Sequence, residues 1–293
     1  MASRGPAMSF SRGLSIESAF VVHTPVKTTI GLIQRWDPSR HPELKTYLSG
    51  DVSGRGAGDF QNLASARSNS AVKAFVAATQ KLPGDSSKLQ LSNAEAKIYT
   101  GGSSGGGSIP GPVVEFWSQL LAQRAKAFLS SGLGGEPPYQ VGSSNISATD
   151  ELQRLLSENG SVRSRFTPII SSSAIGGGRG SQPQSLSWQL FDADGQAAVS
   201  LDAFYAKPVG DGWQAADLGY YSSGGYYVAV TFQQLWPVQL NGTEATLVWR
   251  VDLVSASALG ELRGTERLGS GAAMMREIQK NVKAFLSETR GGR

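Results

Sequence analysis

By its type and position, the residue best suited to take part in chemistry is Asp217. It lies between aromatic residues in a stretch of alternating polarity. If residues 222–225 close a tight hairpin, Asp217 pairs with Val230. Its face would then be apolar, formed by Trp213, Tyr221, Tyr226, Val228, Val230 and Phe232. A carboxylate on such a face has a raised pKa unless it is paired, and such groups are enriched at functional sites. A register slip, a bulge near Gly219 or a structural partner for the carboxylate are the alternatives.

Three of these aromatic residues, Trp213, Tyr221 and Tyr226, are candidates for facing a ligand together with Asp217. Aromatic rings can form a stacking platform for a sugar or another planar molecule. Ordinary cross-strand pairing is the alternative, and it contributes about 0.2–1 kcal/mol a pair to a hairpin. We favour this second interpretation for the tyrosines.

Two further acids, Asp202 and Asp252, could supply a second carboxyl group. Glycoside hydrolysis needs two carboxyl groups about 5–10 Å apart across a cleft. Alternating acids on neighbouring strands produce such pairs by chance. We therefore predict no catalytic residue, with Asp217 as the alternative.

The composition excludes several kinds of site. Cysteine is absent, which excludes disulfides, thiolate metal sites and cysteine nucleophiles. The only two histidines, His23 and His41, have no serine-protease or zinc motif around them. Asp192 and Asp194 resemble part of a calcium loop but lack its later acidic ligand, so we interpret them as turn residues. We expect neither a metal nor a cofactor.

Charge is unevenly distributed along the chain. The net charge is +4, yet residues 185–255 contain two basic and seven acidic residues. Basic flanks around an acidic block indicate charge matching within the protein, whereas a nucleic-acid-binding protein concentrates Lys and Arg on one element. We therefore expect no nucleic-acid partner, and the ligand or protein partner and the oligomeric state stay open.

No window has the roughly 18 uninterrupted apolar residues of a membrane helix. The apolar run near the N-terminus is short and is broken by Glu17, so we do not interpret it as a signal peptide. The expected location is cytoplasmic by default, with an exported mature form as the alternative.

The elements that must position Asp217 are the clearest part of the sequence. Five runs between about 186 and 254 alternate in polarity and are separated by turn residues, which predicts an antiparallel meander. Residues 272–286 have one apolar stripe and predict an amphipathic helix that covers the sheet. The predicted fold class is α+β, with this sheet packed against the C-terminal helix and internal helices.

The remaining chain divides at residues 101–112, a Gly/Ser/Pro-rich linker by composition. Residues 1–100 are predicted to form a mixed α/β module or an extension of the same core. Within them, 19–36 is β-branched and predicts one or two strands, 71–81 a helix, and Ser92 with Glu95 a capping box. Residues 113–293 hold the helices at 113–129 and 149–157, then the sheet and the final helix.

A helix opening Val-Val-Glu-Phe-Trp-Ser-Gln-Leu-Leu from Val113, followed by shorter helices and long antiparallel strands, resembles the NTF2-like cone fold over residues 113–254. The resemblance rests on element order and implies a curved sheet with helices around a pocket. That family includes both enzymes and non-catalytic binding modules. The glycine-rich segment before the sheet and the additional C-terminal helix depart from its pattern.

Two functional hypotheses follow. The first is a non-enzymatic protein that binds a ligand or partner through the sheet and its loops. It is favoured because motifs for catalysis are scarce. The second is a hydrolase or lyase of NTF2-like shape that uses Asp217 in a pocket between the sheet and the helices.

Overall fold

The fold is that of a computed structural model, which describes residues 1–5, 8–101, 107–178, 180–262 and 264–291. Part of the predicted linker, residues 102–106, lies outside the described residues. The division of the chain into an N-terminal part, a linker and a C-terminal part stays a prediction.

Eight strands form one antiparallel sheet in the order β1-β2-β10-β9-β8-β7-β6-β3. The strands are β1 (Ala2–Arg4), β2 (Gly13–Val22), β3 (Thr46–Asp51), β6 (Ser185–Ala193), β7 (Gln196–Val209), β8 (Gly212–Ser222), β9 (Val228–Leu240) and β10 (Thr243–Ser255). A separate hairpin consists of β4 (Tyr139–Val141) and β5 (Ser144–Ile146). The five strands β6 to β10 lie side by side in chain order, so the predicted meander is confirmed. The sheet is wider than predicted because β2 pairs with β10 over ten residues.

Helices cover both faces of the sheet. They are α1 (Val26–Gln34), α2 (Ser70–Gln80), α3 (Asn93–Ala96), α4 (Gly111–Ser131), α5 (Ala148–Glu158), α6 (Gly160–Arg165), α7 (Thr167–Ser172), α8 (Ser257–Glu261) and α9 (Gly264–Gly291). The capping box of α3 forms as predicted, with Ser92 and Glu95 each accepting a hydrogen bond from the other's backbone amide. An α+β fold closed by a C-terminal helix is therefore confirmed.

The larger hydrophobic core lies between one face of the sheet and α2, α4 and α5. Trp117 of α4 is fully buried, stacks on Phe75 of α2 with ring centroids 5.0 Å apart, and donates from Nε1 to Thr79 Oγ1 at 3.0 Å. The same helix carries the buried Arg124 into this core. Its guanidinium donates to Glu95 at 2.8 Å and to Glu136 at 2.9 Å.

The smaller core lies on the opposite face, under α1 and α9. Ile278, Val282 and Phe285 of α9 are buried against it, as the apolar stripe at 272–286 predicts. Ile16 and Phe20 of β2 provide part of the sheet surface that receives them. The final helix thus packs on the first long strand of the chain.

The prediction of one or two strands at 19–36 holds only for its first part. Of the β-branched segment 19–36, only the part up to Val22 belongs to a strand, and residues after Pro25 form α1. Pro25 is the N-cap of this helix, where proline's missing N–H carries no penalty. Val26 and Ile30 then lie one helical turn apart and enter the smaller core, so packing overrides β propensity.

Candidate functional site

Asp217 lies in the middle of the sheet, and its neighbours follow from the strand register. It is opposite Phe204 on β7 and Thr231 on β9, and Thr231 is opposite Asp252 on β10. Asp217 and Asp252 are two strands apart, which places their Cα atoms about 10 Å from one another at ordinary strand spacing. All lie on the face covered by α1 and α9.

The next row of the same face is also polar. Gln233 of β9 is opposite Arg250 of β10, and Arg250 is opposite Ser18 of β2. We call the six side chains of the two rows the polar patch: Ser18, Asp217, Thr231, Gln233, Arg250 and Asp252. It interrupts a face that is otherwise apolar near α9.

Part of the polar patch is internally satisfied. Arg250 donates to both oxygens of Asp252, at 2.7 Å from Nη2 and 2.8 Å from Nε. Thr231 donates to the same carboxylate at 2.8 Å, and Arg250 Nη1 donates to Asn281 of α9 at 3.2 Å. These bonds tie the sheet to the final helix and leave Asp252 engaged.

The rest of the patch has no partner. Asp217 forms no hydrogen bond or close ion pair with the part of the chain that the structure describes. The buried Oε1 of Gln233 and Oγ of Ser18 also have no hydrogen-bond partner there. Buried polar atoms are nearly always satisfied in folded proteins, so the atoms of Gln233 and Ser18 call for an explanation, whereas the carboxylate of Asp217 is exposed to solvent.

A cleft opens above Asp217. Its larger chamber, about 620 Å³, extends toward β3 and is also lined by Ser49, Ser187 and Gln189. A smaller chamber, about 330 Å³, extends toward α9 and is lined by Thr231, Gln233, Arg250 and Asn281. The two chambers share Ile33, Trp36, Pro38, Gln189 and Asp217 as lining residues. Asp217 is accordingly exposed to solvent, in a strand whose other residues are mostly buried.

The segment after α1 covers the cleft. Trp36 meets Phe285 of α9 edge-on at 5.5 Å between ring centroids and lies 4.9 Å from the ring of His41. His41 Nε2 is 3.1 Å from Glu288 of α9. The Nε1 of Trp36 is buried without a hydrogen-bond partner. Contacts with α9 thus hold this aromatic residue at the wall of both chambers.

The electrostatic setting raises the pKa of two acids. Burial raises the pKa of Asp217 to about 6, against the opposing effect of Arg250 and with a contribution from Asp252. Burial and the charge of Asp217 hold the pKa of Asp202 well above its ordinary range. Asp202 is buried and accepts a hydrogen bond from Ser200 at 2.9 Å. The charged form of Asp202 is therefore disfavoured in the folded protein.

The predicted register around Asp217 was wrong by one residue. Asp217 pairs with Thr231, not Val230, and Tyr220 is an extra residue because Leu201 pairs with Tyr221 while Asp202 pairs with Gly219. The apolar aromatic residues expected beside Asp217 lie mostly on the other face, in the larger core. The pKa of the Asp217 carboxyl is nevertheless raised, because the surrounding protein limits hydration of its charged form.

The structure separates the predicted ligand-facing residues. Tyr221 is buried in the larger core with the guanidinium of Arg124 4.1 Å above its ring. Trp213 shares a face with Asp217 but lines a different hollow, with Pro25 and Pro237.

Tyr226 lies near the buried acid Asp202 rather than in the cleft. Its ring is 6.0 Å from that of Phe191. A methyl group on Gly219 would be 2.9 Å from its hydroxyl and 3.1 Å from Asp202 Oδ1. Only Asp217 of the four candidates lines the cleft.

Sequence reasoning missed Trp36 and Gln233. Gln233 could have been noticed as a polar side chain on the same strand face as Leu235, in the middle of a largely apolar strand. Trp36 carries no local signal, because the position of its segment depends on contacts with α9 that are 250 residues away in sequence.

Comparison with known protein families finds no matching family model, and comparison with curated proteins finds no match. Among the described residues, no group of three or more His, Asp or Glu side chains is placed to hold a metal ion. None of the described helices has the length and apolar character needed to cross a membrane. Arguments about function therefore rest on the cleft itself.

Proposed function

We propose that this protein is a non-enzymatic binding module that holds a small polar molecule in the cleft above Asp217. The observation that carries the proposal is a solvent-accessible cleft lined by Asp217, Gln233 and Trp36. Within the described part of the chain, Asp217 has no ion-pair partner, and the buried atoms Gln233 Oε1 and Trp36 Nε1 have no hydrogen-bond partner. Small-molecule sites are typically concave, with a few convergent polar groups among apolar walls. A polar ligand would supply the hydrogen bonds that these groups lack.

Hydrogen bonds also hold the walls of the cleft in place. Arg250 and Asp252 fix the sheet to α9 through Asn281. On the other side, Asp37 accepts hydrogen bonds from Ser39 and Ser49, both at 2.6 Å, and so attaches the covering segment to β3. Groups held in this way lose little freedom on binding, which favours affinity.

The test is a screen of neutral, anionic and cationic small molecules. Binding is detected as a shift of the indole N–H resonance of Trp36 in a nitrogen-15 NMR spectrum. Assignment comes from Trp36→Phe. We expect at least one class of molecule to shift this resonance, and Asp217→Ala to weaken its binding. Asp211→Ala, in an exposed turn outside the cleft, is the matched control. A library that leaves the Trp36 resonance unmoved contradicts the proposal.

A hydrolase or lyase is the second candidate, and one observation favours it. With a pKa of about 6, Asp217 can both accept and donate a proton near neutral pH. Against it, Asp252 is engaged by Arg250, and Asp202 is buried beside Ser200. If the molecules that enter the cleft are converted to products by the natural protein but not by Asp217→Asn, the enzyme is the correct reading.

A further inference from the structure

Charge balance within the cleft indicates what kind of molecule it takes. Most charged groups around it have a partner. Arg250 pairs with Asp252 at 2.7 Å, Arg40 with Asp37 at 3.4 Å, and Lys280 with Glu277 at 2.8 Å. Arg35 and Asp51, on the wall of the larger chamber, carry opposite charges.

Among the described residues that line the cleft, Arg35, Asp51 and Asp217 form no ion pair. Arg35 and Asp51 line only the larger chamber, which leaves Asp217. It is the acid common to both chambers, and no cation lies close enough to form an ion pair with it. Arg250 acts on it only at longer range while bound to Asp252. The deep part of the cleft therefore has one uncompensated negative charge.

A second acceptor lies within reach of the same ligand. Gln233 is on the strand next to Asp217 and one pair further along, a diagonal position about 7–8 Å away in antiparallel sheets. Its side chain is 6% exposed, and its Oε1 has no partner. A cation with two N–H groups, lying in the cleft over β8 and β9, can donate to both Asp217 and Gln233.

The cleft wall formed by Trp36 and Ile33 supplies an apolar and aromatic surface for the ligand. Trp36 lines both chambers, and Ile33 lies beside it. An indole face attracts cations and also accepts apolar groups, so a cation on an aromatic or aliphatic body suits this wall.

We infer that the cleft binds a small organic cation, an ammonium or amidinium on an apolar body, with the charge at Asp217 and one N–H directed to Gln233. This inference rests on the proposed binding function. It names the ligand class of the same cleft.

The pH dependence follows from the groups that face Asp217. From the sheet these are Asp202, Arg250 and Asp252, from α9 Glu277, and from the covering segment Asp37 and His41. Burial disfavours the charged form of Asp202, and Arg250 and Asp252 compensate one another. Affinity for a cation is therefore expected to fall as pH decreases through about 6, where Asp217 becomes protonated.

Three probes of one shape test the inference: benzylammonium, benzyl alcohol and benzoate, titrated at pH 7.5 against the natural protein. We expect benzylammonium to bind about tenfold to hundredfold more tightly than benzyl alcohol, the ratio expected for a charge-assisted hydrogen bond. Benzoate should bind more weakly than either. Asp217→Asn should remove the preference for the ammonium, and Asp211→Asn should retain it.

The outcomes separate the two proposals. Binding of benzyl alcohol or benzoate as tight as that of benzylammonium, with shifts at Trp36, overturns the cation inference and leaves a binding cleft. Retention of the ammonium preference in Asp217→Asn also overturns the inference. If neither these probes nor the mixed library moves the Trp36 resonance, the binding function fails together with the inference.

Discussion

At the scale of single residues, the protein contains two contrasting charged sites. Arg124 is enclosed in the larger core and is held by two carboxylates, whereas Asp217 faces a cleft without an ion-pair partner. A buried charge with partners is stable until one partner is removed, and a lone charge opposes folding by itself. The two sites should therefore respond in opposite directions to neutralisation.

Neutralising Asp217 should stabilise the protein at neutral pH. Because its carboxyl ionises near pH 4 when unfolded and near pH 6 when folded, the folded state holds an extra proton in between, and stability falls as pH rises through that window. We expect Asp217→Asn to match the natural protein at pH 4 and to exceed it by about 1 kcal/mol at pH 8, because water in the cleft screens most of the penalty. Urea unfolding at both pH values measures this, and equal stability at pH 8 would contradict it.

Removing Arg124 should have the opposite effect. Arg124→Ala leaves Glu95 and Glu136 buried without their cation, which we expect to cost about 3–5 kcal/mol at pH 8. Burial already raises the pKa of Glu136 to about 7, so part of the loss should be recovered at pH 5, where this carboxyl is protonated. Lys126→Ala, at an exposed position of the same helix, is the control. A loss independent of pH would indicate that packing rather than charge dominates.

At the scale of elements, the sequence predicted the strands well and their register poorly. Alternation identified β6 to β10, since each strand has one buried face. The turn between β8 and β9 was assumed to be tight, but the two strands separate before it. Ser222 stays paired with Ser200 of β7, and Tyr227 donates its N–H to Ser255. Successive side chains of a strand point to opposite faces of the sheet. A register difference of one residue therefore places the β9 side chains expected beside Asp217 on the other face.

Gly219 lies beside the irregularity in pairing, opposite Asp202 of β7. The space that its missing side chain leaves is occupied by the Tyr226 hydroxyl and Asp202 Oδ1. We expect Gly219→Ala to destabilise the protein by about 1–3 kcal/mol, the usual range for overpacking. Gly224→Ala is the control, since its nearest neighbour would be at an ordinary 3.6 Å. Equal unfolding midpoints for the two variants would show that Tyr226 and Asp202 move aside.

The final helix was predicted with its apolar stripe, but its effect on the site was not. Phe285 anchors α9 and touches Trp36, which lines the cleft. Phe285→Ala should lower stability by about 3–5 kcal/mol and change the fluorescence of Trp36. Lys283→Ala, on the exposed side of the helix, should change neither. Unchanged fluorescence in Phe285→Ala would show that α9 does not determine the environment of Trp36.

At the scale of the whole molecule, the sheet divides two different environments. One face carries a continuous, aromatic-rich core beneath α2, α4 and α5, and the other combines a small core with the polar cleft. The cleft is bounded by residues 33–38 and by α9, which lie on either side of residues 113–254 in the sequence. Sequence could not predict this arrangement, because it depends on the N-terminal strand joining the C-terminal ones.

That joining can be tested by truncation. A chain that begins at His23 lacks β2, which pairs with β10 over ten residues and receives α9. We expect it to lose cooperative thermal unfolding. A chain lacking only residues 1–5 removes the short β1 and an exposed ion pair of Arg4, and should keep it. Cooperative unfolding of the shorter chain would show that β10 tolerates an open edge.

The pairing of β2 with β10 also has a consequence for synthesis. The ribosome makes β2 more than 200 residues before β10, and at usual elongation rates the delay is roughly 10–50 s. Until β10 emerges, the alternating apolar side chains of β2 lack their covering helix and one neighbour. Such an unpaired segment is prone to join the wrong edge, so the nascent chain is a natural client for a chaperone that shields extended apolar peptides.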